Sequence, residues 1–273
     1  MIAPIEITGL FTYPIKSCRA IQHASLALDA FGPVWDRRWM LVNPAGEFVT
    51  QRTFPKMTQI AVTVDATDLL VQAPGEPALP ISLSKIRDAA QPVVVWKDTC
   101  QGWDEGDAAA EWFSRYLGSS LRLVRMADDF VRVANPKWVS FAAKVSFADG
   151  FPILLANEAS LDDLNRRMEA RQAKPVTMDR FRANLVIRGA PAWAEDHWKQ
   201  IRVGNLVMDV VKPCTRCVIT TTDQDSGKIP QVGEPLATLA TFKRWENAVV
   251  FAQNLVHRGP GTLSVWDTVE VIG

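Results

Sequence analysis

The apolar runs of this chain are short, and turn residues cut almost every one before it reaches helical length. Residues 5–13, 24–28, 60–64, 68–72, 92–96, 121–125, 153–156, 184–187, 200–203, 206–211, 218–222 and 263–272 carry β-branched or alternating character and read as strands. Residues 35–42 read as an entry into a further strand, 43–46 as a hairpin turn and 48–52 as the returning strand. Three segments read as helices. Residues 107–117 place Ala110, Phe113, Tyr116 and Leu117 on one face, with Gly118 as the stop. Asn157 caps a helix to about residue 171, with Leu161, Leu164 and Met168 inward. The third has Pro235 near its first turn, followed by Leu236, Leu239, Ala240 and Phe242. The fold class is therefore mainly β with a few helices, and many short strands favour barrels over a doubly wound sheet. No Gly-rich strand-to-helix loop is present, so no nucleotide fold is expected. A linker-like stretch, 126–138, divides the chain into 1–126 and 127–273.

With 273 residues, the chain has room for two domains. Its formal net charge of zero argues against a dedicated nucleic-acid binder. Four cysteines in so long a chain make no disulfide framework, which points to a reducing compartment. The first ten residues lack a signal-peptide pattern, and no apolar run approaches the roughly 18 residues of a membrane helix. A cytoplasmic protein is expected. Most of its ten tryptophans should be in the core or in cleft walls.

The stretch from Val210 to Asp223 contains Pro213-Cys214-Thr215-Arg216-Cys217. Proline cannot donate a ladder hydrogen bond, so the expectation is strand, tight loop, strand, with both thiols on the loop. Thiolate is a soft ligand for zinc, copper, iron–sulfur and other soft metal centres. Arg216 would favour a thiolate or bind an anion beside a metal. A zinc site needs more ligands, and Cys18, Cys100, His23, His197 and His257 are scattered singly. A thioredoxin-like pair should open a helix, whereas residues 218–222 read as a strand. Two reduced, half-buried cysteines without chemistry remain the bland alternative. Lys16, Arg37, Arg38, Arg52, Arg182 and Arg216 fall at or near expected strand ends. Gathered together they would form an anion site, with Ser17, Thr50, Thr215 and Asn184 adding neutral hydrogen bonds. Taken singly, each is an ordinary solvated charge.

Four motifs, in order, resemble the MOSC proteins. They are Tyr13-Pro14-Ile15-Lys16-Ser17-Cys18, Asp36-Arg37, the segment Arg180-Phe181-Arg182-Ala183-Asn184-Leu185-Val186-Ile187, and the run from Cys214 to Asp223. The likeness is to the amidoxime-reducing branch and its bacterial relatives. It implies an N-terminal MOSC-associated β-barrel-like domain followed by a MOSC β-barrel domain. It also implies a molybdenum cofactor (molybdopterin) spanning the two. By this resemblance Cys217 is the molybdenum ligand and catalytic residue. Lys16, Ser17, Arg37, Arg182, Asn184, Thr215 and Arg216 are cofactor contacts, and Cys214 has a packing or supporting role. The implied activity is reduction of small N-hydroxylated compounds: amidoximes, hydroxylamines and N-hydroxylated bases. The cysteines lack the spacing of a fused two-iron domain. Electrons are therefore expected from a separate protein, ferredoxin-like or cytochrome b5-like with its reductase. Asp223 and Asp196 are the proton-donor candidates. His257-Arg258-Gly259-Pro260 departs from a more acidic stretch in the branch, which bears on the donor surface and substrate mouth. The alternative is a molybdenum-cofactor carrier or sulfur-transfer module of the MOSC class, although no pyridoxal-dependent desulfurase domain is present. A cofactor-free β protein with leftover motifs is the third reading.

Overall fold

Turn residues and β-branched runs produce many short strands, as the sequence pattern requires. The computed structural model describes residues 4–84 and 89–273. The chain opens with β1 (Glu6–Thr12), β2 (Ile21–His23), β3 (Ser25–Asp29), β4 (Gly32–Pro33) and β5 (Trp39–Val42). Next come β6 (Ala61–Val64), β7 (Asp68–Gln72), β8 (Leu79–Ser82), β9 (Gln91–Val95), β10 (Asp98–Asp104), α1 (Asp107–Leu117) and β11 (Arg122–Met126). The second half holds β12 (Ile153–Asn157), α2 (Glu158–Ala170), β13 (Leu185–Arg188), β14 (Gln200–Val203) and β15 (Leu206–Thr215). It closes with α3 (Leu236–Leu239), β16 (Arg244–Trp245), β17 (Ala248–His257), β18 (Gly261–Ser264) and β19 (Glu270–Val271). The fold is mainly β, with three α-helices among the described residues.

The largest sheet runs β19-β14-β15-β17-β12-β13-β1-β2, with β16 on β17. β1 lies antiparallel to β13, and β3 pairs with β18. The first thirty or so residues are thus built into the second half of the chain, across the division at 126/127. A four-stranded sheet, β5-β11-β10-β9, and the meander β6-β7-β8 make up the rest of the first half. Leu10, Leu155, Leu185 and Leu255 meet in the core of the large sheet, all fully buried. Each contributes roughly 2 kcal/mol of apolar burial. Trp39, Leu41, Met57, Leu69, Phe113 and Leu123 form a second core beneath α1.

α1 buries Ala109, Ala110, Trp112 and Phe113, and Gly118 ends it in the left-handed conformation at φ 69°. The Asn157 side chain accepts from the Ala159 N–H at 3.1 Å and caps α2.

Four expectations fail. Residues 48–52 form no strand. One bridge joins Phe48 to Val42, and the Thr50 hydroxyl then accepts from the Arg52 N–H at 3.2 Å, turning the backbone. Residues 218–222 form a 3-10 turn (Val218–Thr221) rather than a strand. The Thr220 and Thr221 hydroxyls donate back to the Cys217 and Val218 carbonyls at 2.9 and 2.7 Å, in competition with a ladder. Pro213 does not interrupt its sheet either. β15 runs through it to Thr215, with the irregularity absorbed by register shifts around residues 211 and 214. Cys214 is therefore on a strand, and only Cys217 lies beyond its end. The expected strand at 263–272 is broken into β18 and β19, with Trp266 left-handed between them. β17 gives no alternating signal because it is buried along most of its length.

Candidate functional site

The ends of several strands converge on one cleft. β15 delivers Cys214 and Thr215, and Cys217 begins the 3-10 turn with its carbonyl accepting from the Thr220 N–H at 3.1 Å. The segment after β1 carries Lys16 and Ser17; Arg37 precedes β5; Arg182 and Asn184 precede β13. These residues, with Arg216, line a space of about 800 Å³, its open mouth included. All eight residues expected at the site therefore lie together, contributed by both halves of the chain. A cleft between two units is a common place for a cofactor or small ligand.

Its floor is an ordered ionic network. Burial raises Asp36 above the ordinary carboxylate value, opposed by Arg37 and by hydrogen bonds from the Tyr13 N–H and Asn184. Arg37 Nη1 donates to Asp36 Oδ2 at 2.6 Å and to Asn184 Oδ1 at 3.1 Å. The guanidinium groups of Arg37 and Arg182 lie 4.1 and 4.2 Å from the Tyr13 ring centroid. Burial lowers Arg182 to about 10, reinforced by the Arg37 charge and opposed by Tyr13. Burial pushes Tyr13 up to about 12 although both arginines pull the other way. Lys16 donates to the Phe147 carbonyl at 2.9 Å and pairs with Asp149 at the exposed rim. Burial lowers Lys16 from its ordinary value, against the pull of that aspartate. Ser17, Arg37 and Arg182 have left-handed backbones at φ 69°, 48° and 55°. Such strain in non-glycine residues concentrates where a site fixes side-chain direction.

Asn184 lines the cleft with its amide engaged by the protein. Its amide donates to the Phe11 carbonyl and Asp36 Oδ1 at 3.0 and 3.1 Å. It accepts from Arg37 Nη1 and the Leu154 N–H at 3.1 and 3.2 Å. All four hydrogen-bonding positions of the amide are filled. Asn184 thus ties three elements and Arg37 together beneath the cleft.

At the sulfur end, Arg52 Nη2 donates to Cys217 Sγ at 3.1 Å. Arg216 Nη1 donates to Cys214 Sγ at 2.9 Å and Nη2 to the Phe181 carbonyl at 2.7 Å. Its Nε is buried without a protein partner. Cys18 and Cys100 are core residues, pushed up to about 12 and about 11 by burial. Cys214 and Cys217 are the two thiols of the cleft.

Among the described residues, no three His, Cys, Asp or Glu side chains converge to hold a metal. Beside the Cys214 and Cys217 thiols, a metal here would have to bring most of its ligands with it. The lining fits such a group. It offers soft sulfur, five cations (Lys16, Arg37, Arg52, Arg182 and Arg216) and a single carboxylate, Asp149. That balance suits an anionic, phosphate-bearing pterin dithiolene.

The two proton-donor candidates lie elsewhere. Asp196 pairs with Lys243 and accepts from Gln253 Nε2 at 2.8 Å. Asp223 holds Arg180 at 3.1 Å and accepts from the Ser226 hydroxyl at 2.6 Å. Neither lines the cleft. Arg38 also points away, its guanidinium 4.4 Å from the Phe31 ring centroid. Asp149 and Trp96 carry no sequence signal, and Arg52 is one of six cations near expected strand ends.

Residues 5–120 match the MOSC N-terminal beta barrel domain, and residues 142–270 match the MOSC domain. The chain is 31% identical over 280 residues to mitochondrial amidoxime reducing component 2 of Bos taurus, across 98% of this chain and 80% of that protein. It is 32% identical over 286 residues to mitochondrial amidoxime-reducing component 1 of Homo sapiens, across 98% and 83%. Molybdenum cofactor sulfurase of Oryza sativa subsp. japonica is 30% identical over 265 residues, across 92% of this chain and 32% of that protein. With both domains matched in order and relatives aligned along nearly its whole length, the chain belongs to the MOSC family, in company with the mitochondrial amidoxime-reducing components.

Proposed function

We propose that this protein is a molybdenum-cofactor-dependent reductase of N-hydroxylated compounds (amidoximes, hydroxylamines and N-hydroxylated bases). Its electrons come from a separate ferredoxin-like or cytochrome b5-like donor. The observation that carries the reading is the Cys217 thiol in a cationic cleft built from both halves of the chain. The relatives named amidoxime-reducing components support it. When bound, the molybdenum cofactor supplies the two-electron redox chemistry by which an N–OH group loses its oxygen as water. Cys217 is the metal's protein ligand. Lys16, Arg37, Arg182 and Arg216 balance the charge of the pterin and phosphate, and Ser17 and Thr215 offer hydroxyl donors. Asn184 acts by fixing Arg37. Burial would raise the Asp149 carboxyl, but its ion pair with Lys16 holds it well below the ordinary carboxylate value, so Asp149 is a fixed negative charge at the cleft.

The two matched segments support a division near 126/127 into an N-terminal β-barrel-like domain and a MOSC domain, with β1–β4 sewn into the second. No described helix is long and apolar enough to cross a membrane. A cytoplasmic location is part of this reading, and cell fractionation tests it.

The direct test uses protein made in a cofactor-competent host, with reduced viologen as donor and benzamidoxime as substrate. Cys217→Ser should lose more than roughly 100-fold in rate, beyond the effect typical of residues that merely support a ligand. Full activity in that variant removes Cys217 as the ligand. The likeness to the rice molybdenum cofactor sulfurase, with a second thiol held by Arg216, favours one other reading: a cofactor carrier or sulfur-transfer module. A persulfide on Cys214 or Cys217 by mass spectrometry, without N-reduction, would select it.

A further inference from the structure

Trp96 occupies a position where a hairpin ordinarily has glycine. β9 and β10 pair with Val95 opposite Asp98, which leaves Trp96 and Lys97 as a two-residue loop. Trp96 is left-handed, at φ 56°. A positive φ at the first position of such a loop is normally supplied by glycine, and a bulky side chain there is strained. Local turn chemistry therefore does not account for the tryptophan. Core packing does not either, since the residue is 45% exposed.

Its contacts lie on the wall of the cleft. The indole N–H donates to Asp149 Oδ1 at 3.1 Å, and Asp149 is the ion-pair partner of Lys16. The ring packs 4.9 Å from that of Phe48. The Arg52 guanidinium lies 4.9 Å from the Trp96 ring centroid, and Arg52 Nη2 reaches Cys217 Sγ at 3.1 Å. One strained residue thus braces the exposed cation that meets the sulfur. Strain of this kind persists where the surroundings over-determine it, and it clusters at active sites and ligand clamps. We propose that Trp96 is a positioning residue that holds Arg52 against Cys217, so that an anion approaching the thiol meets a fixed positive charge.

The inference deepens the reading of this cleft as an anion site, but it needs neither bound cofactor nor turnover. It is therefore tested on the cofactor-free chain, where failure of the reductase assay has no bearing. Cys217 is alkylated with anionic iodoacetate and neutral iodoacetamide, and its peptide is resolved from that of Cys214 by mass spectrometry. The ratio of the two rates cancels the thiol's own reactivity and leaves the charge the reagent feels. One fixed cation about 5 Å from the reagent's carboxylate, in water-like surroundings, is worth roughly fourfold in that ratio, and less at high salt. Arg52→Ala and Trp96→Ala should each lower the ratio by that factor, and the double variant should fall no further. Arg52→Lys and Trp96→Phe should retain most of it. Trp96→Gly removes the strain together with the ring. It should unfold near the wild-type temperature yet show the lowered ratio, which separates positioning from misfolding. A wild-type ratio in Trp96→Ala, or a double variant that loses the product of the two single effects, overturns the proposal. So does an unchanged ratio in Arg52→Ala.

Discussion

Replacing Asn184 with alanine should damage the fold before it damages ligand binding. The side chain is 2% exposed and makes four hydrogen bonds, two of them to the charged partners Asp36 and Arg37. Neutral bonds contribute about 1 kcal/mol each and bonds to charged groups about 2, which sets a ceiling near 6 kcal/mol. Arg37 and Asn184 both line the cleft, so water can enter the space left behind and recover part of the loss. The expected cost is about 3–4 kcal/mol. The assay is urea unfolding followed by the fluorescence of the ten tryptophans. At a typical slope of about 2–3 kcal/mol/M, the midpoint should fall by roughly 1–2 M. Asn184→Asp should be at least as damaging at neutral pH. It sets a second carboxylate against Asp36 and leaves the Phe11 carbonyl without its donor. A midpoint within about 0.3 M of wild type, combined with lost molybdenum, would refute the reasoning. It would return Asn184 to the role of direct cofactor contact.

Two further predictions concern the surroundings of the cleft. Asp223 is held below its ordinary value of 3.8, chiefly by the Ser226 hydroxyl, with Arg180 contributing. A depressed carboxyl stabilises the fold above its unfolded pKa, and that stability is lost as pH falls through the folded value. The stability difference between wild type and Asp223→Asn should therefore hold from pH 7 down to about 3.8 and vanish below it; a difference that persists in stronger acid would show that Asp223 is not the group being read. Gly32 has φ 103°, and a Cβ there would lie 2.7 Å from the Pro152 Cβ, just beyond the cleft loop. Gly32→Ala should cost at least about 2 kcal/mol and lower the melting temperature by roughly 5 °C, and an unchanged melting temperature would contradict the close approach.

The elements legible in the sequence are those whose signals are local. The β6–β7 hairpin, α1 with its Gly118 stop and the Asn157 cap of α2 each depend on residues a few positions apart. The threonines after Cys217 misled because their hydroxyls bond to carbonyls three residues back, a choice that β-branched character does not reveal. Pro213 misled because a sheet can absorb it with a bulge once the partner strand is present, and that partner, β17, was itself hidden by burial along most of its length.

The motif residues could be named from sequence by family resemblance, but their convergence could not be derived from spacing. Tyr13 and Ala183 are 170 positions apart, yet the tyrosine hydroxyl donates to that carbonyl at 3.0 Å, and the pairing of β1 with β13 brings them there. Arg52, Trp96 and Asp149 carried no comparable signal, because their value comes from one another's positions across the cleft wall. By itself, then, the sequence determined the local elements and the chemical types at the cleft. Only the tertiary structure decided which cation faces which sulfur, because that depends on non-local strand register, which no short window of residues encodes.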